Sequence, residues 1–200
     1  MAKFFMPGLQ ASGGKRNFDS MNNLPEYLSK KTKSGLLKLA VYQMAGGIFG
    51  ILFIVLFLWG VQAISWKGMI VYSVGFILFA YSVFCGVLLL RSKEAALNCS
   101  LFNQLIQFIS FALFGFAFKF AAGIFLSPGI DLTKSAIIDC HFGLSRFEIA
   151  FKTESDKIEM NFNLVALYLV YYIDKMRRKI REEKMTMEVA NFGEPAKELM

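Results

Sequence analysis

The sequence predicts an α-helical integral membrane protein with four transmembrane helices, both termini in the cytoplasm, and a small extracytoplasmic β-hairpin between the third and fourth helices. Three observations predict this fold class. The 200 residues are 56% hydrophobic and include 22 phenylalanines, which is more apolar than a soluble domain of this length usually is. Long runs of the chain hold no charged residue. Lysine and arginine concentrate on one side of those runs.

The first three helices are predicted from the uncharged runs. These runs occupy residues 39–66, 68–90 and 95–118. About 20 helical residues, at about 1.5 Å per residue, cross a hydrocarbon core of ~30 Å. Each run is therefore long enough for one crossing. The predicted spans lie at about residues 39–62, 69–90 and 95–116.

The distribution of basic residues predicts the orientation. Residues 1–38 contain seven lysines and arginines against two acidic residues, whereas residues 127–159 contain four against six. Because positive charge favours the cytoplasmic side, both termini are predicted inside and residues 127–159 outside. That orientation requires an even number of crossings. The short uncharged run at residues 160–173 is therefore predicted as part of a fourth span, at about residues 160–176.

The segments between and beside the spans complete the predicted organisation. Residues 1–22, rich in glycine, serine and asparagine, are predicted to form a flexible cytoplasmic arm, and residues 176–200 a cytoplasmic helical tail. Residues 23–175 form the membrane domain between them. Within it, residues 117–159 are predicted as an extracytoplasmic β element. Here RFEIAFK and KIEMNF alternate apolar and polar residues on either side of TESD, as the arms of a hairpin do.

The stretch Phe114–Phe120, with the sequence FGFAFKF, fits either a helix or a strand. Phenylalanine at every second position is typical of a strand, whereas a helix would align the same rings at a spacing of four residues. The preceding apolar run favours a helix that ends around Phe114 to Phe118. The chain beyond it is then extended and joins the apolar face of the hairpin, which would be marginally stable alone.

A polar stripe runs along the predicted third span. Ser100, Asn103, Gln107 and Ser110 follow one another at intervals of three or four residues, so a helix places them on one face. Polar groups in lipid need partners. Hydrogen bonds to the other helices are the leading explanation, and a water-lined path and a docking face for another membrane subunit remain open.

Two glycines in the first span predict a close packing contact. Gly46 and Gly50 form a GxxxG pattern, which allows two helices to approach closely. The contact is predicted with another span of the same chain or with a second copy.

Aromatic and basic residues mark the predicted membrane boundaries. Trp59 and Trp66 lie at the outer end of the first span, as an aromatic belt would, and Arg177 and Arg178 follow the fourth span on the cytoplasmic side. Both pairs are predicted to contact lipid headgroups.

Lys119 is the one charged residue between Glu94 and Asp131. Its distance along the third span places it at the outer interface, where a lysine extends its charge to the headgroups. A sharper alternative is that Lys119 holds an anionic lipid or pairs with an acidic residue of the outer segment 127–159, such as Asp131.

No motif in the chain predicts catalysis or a cofactor. There is no glycine-rich phosphate loop, no HExxH and no GxSxG, and the uncharged runs that define the four spans hold no acidic residue. His141 is the single histidine, and its neighbour Cys140 would point to the opposite face of a strand. We predict neither an enzyme nor a metal or cofactor site.

The net charge of the chain is +7. Most of the basic residues flank the predicted spans on one side, where anionic lipid explains them without a nucleic-acid partner.

Several segments resemble a group of known membrane proteins. NLPEYLSKKTKSGLLKLAVYQMAGGIFG, FKFAAGIFLSPGIDL, FGLSRFEIAF and NLVALYLVYY are similar to segments of small uncharacterised multi-pass inner-membrane proteins of the Bacteroidota. The resemblance covers residues 23 to about 175. It implies a bacterial inner membrane and no particular activity.

Together these features predict a non-enzymatic integral membrane subunit that binds or scaffolds a larger membrane protein assembly. Its predicted partners are membrane lipid, other integral membrane subunits and a second copy of itself. The alternative function is an oligomeric pore or small-solute channel lined by the polar stripe.

Overall fold

The computed structural model describes residues 25, 27–91, 94–132, 137–151 and 158–192. Within them the chain forms four helices and a small antiparallel sheet, which agrees in outline with the predicted fold. The helices are α1 (Lys30–Gly60), α2 (Trp66–Leu90), α3 (Glu94–Phe108) and α4 (Leu164–Phe192). The strands are β1 (Ile109–Leu113), β2 (Phe116–Asp131), β3 (Ile137–Phe151) and β4 (Glu159–Phe162). The predicted arm at residues 1–22 lies outside the described residues.

Helices α1 and α2 form an antiparallel pair. Each begins after a serine whose side chain accepts a hydrogen bond from the first turn: Ser29 Oγ from Thr32 N at 3.3 Å, and Ser65 Oγ from Gly68 N at 3.2 Å. Such capping satisfies backbone groups that have no partner inside the helix. Both helices are long and apolar enough to cross a membrane.

The predicted third span is only partly helical. Helix α3 ends at Phe108, and the next five residues form β1, so the prediction of a helix to residue 116 is wrong in its last part. The competing interaction is the pairing of β1 with β4, from Ile109 opposite Phe162 to Ala112 opposite Glu159. Residues far along the chain therefore decide where α3 ends.

The predicted fourth span also begins as a strand. Residues 159–162 form β4, and α4 begins at Leu164. Asn163 Oδ1 accepts hydrogen bonds from Val165 N at 3.1 Å and Ala166 N at 3.3 Å, which defines the start of the helix. Helix α4 then continues without a break to Phe192. The helical interpretation of residues 160–162 is therefore wrong.

The ambiguous stretch Phe114–Phe120 is a turn followed by a strand. Leu113 pairs with Phe116, so Phe114 and Gly115 form a two-residue hairpin loop. Both have positive φ, 50° and 80°, as a type I′ turn requires. The prediction of a helix to Phe114–Phe118 is wrong, and the expectation that the following chain is extended and joins the sheet is confirmed.

The strands pair differently from the predicted hairpin. Strand β3 pairs along the length of β2, while β4 pairs with β1 and with the far end of β2. The two predicted arms are thus both strands, but within the described residues they are not partners. The intervening TESD loop lies outside those residues. Alternation of apolar and polar residues identifies a strand, whereas its partner depends on the rest of the sheet.

A kink in the β2–β3 ladder attaches the sheet to the middle of α1. The register shifts between Ala121 and Ile124, where Gly123 and Ser145 have φ of 101° and 45°. Ser145 Oγ accepts a hydrogen bond from Gly123 N and donates one to Gly46 O, both at 3.0 Å. One hydroxyl therefore connects both strands to the helix.

Gly46 and Gly50 contact two different elements of the same chain. A Cβ on Gly46 would lie 2.5 Å from Gly123 N, which is backbone of β2, and a Cβ on Gly50 would overlap the ring of Phe79 on α2. The GxxxG pattern therefore packs one turn of α1 against the sheet and the next against α2. Ile54, Phe79, Phe120 and Ala122 form the buried apolar cluster at this junction.

A second attachment joins the beginning of α1 to α4. The carboxylate of Glu183 accepts hydrogen bonds from Ser29 N at 3.0 Å, Ser29 Oγ at 2.7 Å and Thr32 Oγ1 at 2.8 Å. Lys179 Nζ lies 3.8 Å from the same carboxylate. Burial raises the pKa of Glu183, but these hydrogen bonds and Lys179 outweigh burial, so its pKa is lowered from 4.5.

Substitution of Gly46 tests the close contact between α1 and the sheet. Gly46→Ala should lower the free energy of unfolding by about 1–3 kcal/mol because the added methyl group meets backbone that cannot move aside. The measurement is unfolding of the detergent-solubilised protein by sodium dodecyl sulfate, followed by circular dichroism. Gly60→Ala is the control, since a Cβ there meets nothing within 4 Å. Equal losses for both variants would contradict the proposed contact.

Substitution of Glu183 tests the α1–α4 attachment through its pH dependence. A lowered folded-state pKa stabilises the protein above the unfolded value of 4.5, and this stabilisation disappears as the pH falls through the lower folded-state pKa. Glu183→Gln should therefore be less stable than the wild type at neutral pH, and the difference should shrink below pH 4.5. The exposed neighbour Glu182 provides the control Glu182→Gln. A stability difference that does not change with pH would count against the ionised carboxylate.

Candidate functional site: two buried polar clusters

A cluster of polar side chains lies between α1, α2 and α3, and we call it the helix cluster. All its members are buried: Gln43, Ser82, Ser100, Asn103, Gln104 and Gln107. Ser100 Oγ donates a hydrogen bond to Gln43 Oε1 at 3.1 Å, and Asn103 Nδ2 donates to Ser82 Oγ at 3.1 Å. The cluster therefore ties three helices together.

The helix cluster also reaches the sheet. Gln107 Oε1 accepts a hydrogen bond from Ala122 N at 2.8 Å, which satisfies a backbone group beside the β2 kink. Several atoms, including Gln43 Nε2 and both polar atoms of Gln104, have no hydrogen-bond partner within the described part of the chain. The cluster thus holds more hydrogen-bonding capacity than its internal contacts use.

The predicted polar stripe is divided by this arrangement. Ser100, Asn103 and Gln107 belong to the helix cluster, whereas Ser110 lies on β1, opposite Asn161 of β4. The helical spacing does not extend to Ser110 because α3 ends at Phe108. The sequence analysis did not identify Gln43 and Ser82, although each is an isolated polar residue in an apolar run, and such a residue signals a buried partner.

A second cluster lies on the inner face of the sheet, and we call it the sheet cluster. Lys119 Nζ lies 2.7 Å from Glu159 Oε1, and both side chains are almost completely buried. Asn161 Nδ2 donates a hydrogen bond to the same oxygen at 2.7 Å. His141 Nε2 lies 3.7 Å from Glu159 Oε1 and 3.3 Å from Asp139 Oδ2. Three strands thus contribute to one charged network.

The strand register explains this convergence. Side chains directly opposite each other on paired strands point to the same face, and Ser127 pairs with His141. Gly129 pairs with Asp139 on one side and Asn161 on the other. A Cβ at Gly129 would overlap Asn161 Oδ1, so glycine leaves the space that the asparagine occupies.

Lys119 pairs with an acidic residue of the 127–159 segment, as the alternative prediction proposed, but the partner is Glu159 and not Asp131. Its side chain is buried, so the prediction that it extends to the headgroups is wrong. Arg146 and Glu148 form a second ion pair at 2.8 Å nearby on β3.

The sheet cluster encloses little free space. Its cavity, lined by Ser110, Ser127 and Asn161 among others, offers about 10 Å³ to the centre of a water-sized sphere. One water molecule needs about that volume. The cluster can therefore hold its buried charges, but its cavity is too small for an organic substrate.

The predicted membrane-boundary residues lie at opposite ends of the helices. Trp59 and Trp66 are exposed at the turn between α1 and α2, where Lys67 Nζ lies 5.7 Å from the Trp66 ring centroid. Arg177 is partly buried on α4, and Arg178 is exposed and lies 3.3 Å from Asp174.

The described residues show no group of three or more His, Cys, Asp or Glu side chains placed to hold a metal ion. Cys85, Cys99 and Cys140 are free thiols. Asp139 lies two residues before His141 on β3, so strand alternation alone places both on one face. Glu159 approaches His141 only because β3 and β4 both pair with β2.

Comparison with protein-family models, curated proteins and solved structures finds no match to this chain. The resemblance to Bacteroidota membrane proteins therefore stays a prediction. Functional inference rests on the geometry above.

Removing one partner of the buried ion pair tests the sheet cluster. Lys119→Met should lower the free energy of unfolding by about 3–5 kcal/mol because it leaves Glu159 buried without its cation. Lys119→Met combined with Glu159→Leu should recover most of that loss, since no unpaired charge remains. Unfolding in detergent measures all three proteins.

The control for this prediction is the exposed Arg178–Asp174 pair. Arg178→Met should cost no more than about 1 kcal/mol, as exposed pairs do. A double variant as unstable as Lys119→Met alone would show that packing of the side chains, not charge pairing, stabilises the cluster.

Proposed function

We propose that this chain is a non-enzymatic, multi-pass membrane subunit that binds or scaffolds a larger membrane protein assembly. The main observation that supports a membrane subunit is the exposure of α1 and α2. Only 28% and 33% of the residues in their most apolar 18-residue stretches are buried inside the structure. An equally apolar helix in the core of a soluble protein would be buried on all sides, so a bilayer is the solvent that fits these surfaces.

The proposed four crossings combine helices with strands. Helices α1 and α2 each cross completely. Helix α3 has 15 residues and rises about 22 Å, and the five residues of β1 add about 17 Å. The return crossing consists of β4 and the apolar beginning of α4.

The proposed orientation follows from the positions of the basic residues. The Ser29–Glu183 hydrogen bonds place the lysine-rich start of α1 beside the basic part of α4. Lys67 is the one basic residue at the opposite turn between α1 and α2. The positive-inside rule then places both termini in the cytoplasm. The proposed location is a cell membrane, and the sequence resemblance favours a bacterial inner membrane.

The end of α4 supports a protein partner. Met185 and Val189 are exposed and lie four residues apart, which places them on one face of the helix. This segment follows the basic part of α4 on the proposed cytoplasmic side, where lipid does not cover it. An apolar face of this kind is suited to docking against another subunit or a second copy.

The pore alternative receives less support. Ser100, Asn103 and Gln107 are buried between elements of one chain and hydrogen-bonded there, so they do not form an accessible lining.

Disruption of the exposed apolar face on α4 tests the assembly proposal. The full-length protein, purified from its native membrane in mild detergent, should carry a reproducible companion subunit or a second copy. We expect the double variant Met185→Asp with Val189→Asp to lose that companion, because two carboxylates cannot be buried in an apolar contact. Mass spectrometry and light scattering of the purified complex measure the outcome.

Met187→Asp is the matched control, since Met187 is also exposed but points to the other side of α4. It should retain the companion. Each variant must remain resistant to alkaline extraction from membranes. A wild-type protein that is monomeric and alone after gentle purification would refute the assembly proposal, and extraction by alkali would refute membrane integration.

A further inference from the structure

The outer face of the sheet is unusually apolar. Leu126, Ile130, Ile138, Phe142, Met160 and Phe162 are all exposed there. We call these six residues the outer sheet face. Soluble proteins rarely expose apolar surfaces of this extent without a partner.

The two faces of the sheet have the reverse of the polarity found in a water-soluble sheet. In β4, Glu159 and Asn161 are buried while Met160 and Phe162 are exposed. In β2, Ser127 is buried between the exposed Leu126 and Ile130. Antiparallel sheets at a water interface place apolar residues inward, whereas strands in a bilayer place apolar residues outward and polar residues inward.

The sheet lies beside the middle of the two long helices. Ser145 contacts Gly46 of α1, which is seven residues, or about 10 Å, from Leu39 at the start of the uncharged run. Phe147 lies against Gly75 of α2, which is fifteen residues, or about 22 Å, from Leu90. Both contact points therefore lie within the central part of a hydrocarbon core that is ~30 Å thick.

From polarity and depth together, we infer that the outer sheet face contacts lipid acyl chains and that the sheet belongs to the membrane-embedded part of the protein. The inference rests on the proposed membrane function and changes its topology, because the sequence predicted an extracytoplasmic element at residues 117–159. It also makes the Lys119–Glu159 pair an intramembrane ion pair.

Lipid fits the outer sheet face better than a protein partner does. The exposed apolar surfaces of α1 and α2 continue beside the sheet at the same depth, so a single solvent covers both. Strands β1, β2 and β4 each pair with the other two, which supplies backbone groups with partners that hydrocarbon cannot provide. Within the described residues β3 pairs with β2 alone. The charged side chains of the sheet cluster are paired on the inner face.

Depth-dependent quenching of single tryptophans tests the inference. The background protein carries Trp59→Phe and Trp66→Phe, and one tryptophan is then added as Phe142→Trp. Phe53→Trp on α1 is the lipid-exposed reference, and Met187→Trp on the side of α4 away from Met185 and Val189 is the aqueous reference. Phe53 and Met187 have similar exposures of 47% and 45%. Each protein is reconstituted in phosphatidylcholine vesicles with or without brominated acyl chains.

We expect Phe142→Trp to lose fluorescence in brominated lipid as strongly as Phe53→Trp and to resist quenching by aqueous iodide. Met187→Trp should be quenched by aqueous iodide and not by brominated lipid. Ile138→Trp provides a second reporter on the outer sheet face if the first variant does not fold, and circular dichroism checks the fold of each protein.

Three results would overturn the inference. Quenching of Phe142→Trp by iodide, with Phe53→Trp quenched by brominated lipid, would place the sheet in water and leave the membrane function intact. Quenching of Phe142→Trp by neither agent would show that protein covers the face, and crosslinking of the exposed Cys140 between copies would identify a second copy there. If neither Phe142→Trp nor Phe53→Trp is quenched by brominated lipid, the membrane function itself is refuted.

Discussion

The backbone contact between Gly46 and the kinked part of β2 determines how the rest of the molecule is arranged. At this point α1 meets main-chain atoms of Ala122 and Gly123 directly, and Ser145 bridges the two elements. A larger residue on either side would separate helix and sheet. The contact therefore determines the depth of the sheet beside α1 and α2, and it turns the polar face away from them while Phe120 packs on Phe79.

Burial of the sheet cluster follows from that arrangement and has an energetic cost. Removing a lysine and a carboxylate from water costs several kcal/mol per ion, and their attraction offsets this only when hydrogen bonds satisfy the remaining groups. Asn161 donates to Glu159 and His141 lies close to it, which supplies that support. In hydrocarbon the alternative position, facing outward, would cost still more. The attraction between Lys119 and Glu159 thus offsets part of the free-energy cost of placing charged side chains on the buried face of the sheet.

Long-range pairing limits what the sequence can predict. The uncharged runs located α2 and the end of α1 to within about three residues, because hydropathy and length determine such helices. Helix α1 begins at Lys30, before the predicted start near residue 39. The end of α3 at Phe108 and the strand at residues 159–162 depend on β1 and β4 meeting across more than forty intervening residues. The same pairing removed Ser110 from the predicted stripe. Alternation in KIEMNF predicted a strand at residues 159–162, but no local pattern identified β1 as its partner or Phe108 as the end of α3.

The two halves of the structure therefore depend on different interactions. The α1–α2 pair joins neighbouring segments and is stabilised by its own backbone hydrogen bonds, so it can form in a bilayer without the sheet. The sheet cannot form in the same way, because β1 and β2 leave groups unpaired until β4 has been added. Contacts between segments that are far apart along the chain form slowly. The sheet is then expected to assemble last, against a helix pair that is already in place and whose Gly46 lets the backbone of β2 approach closely.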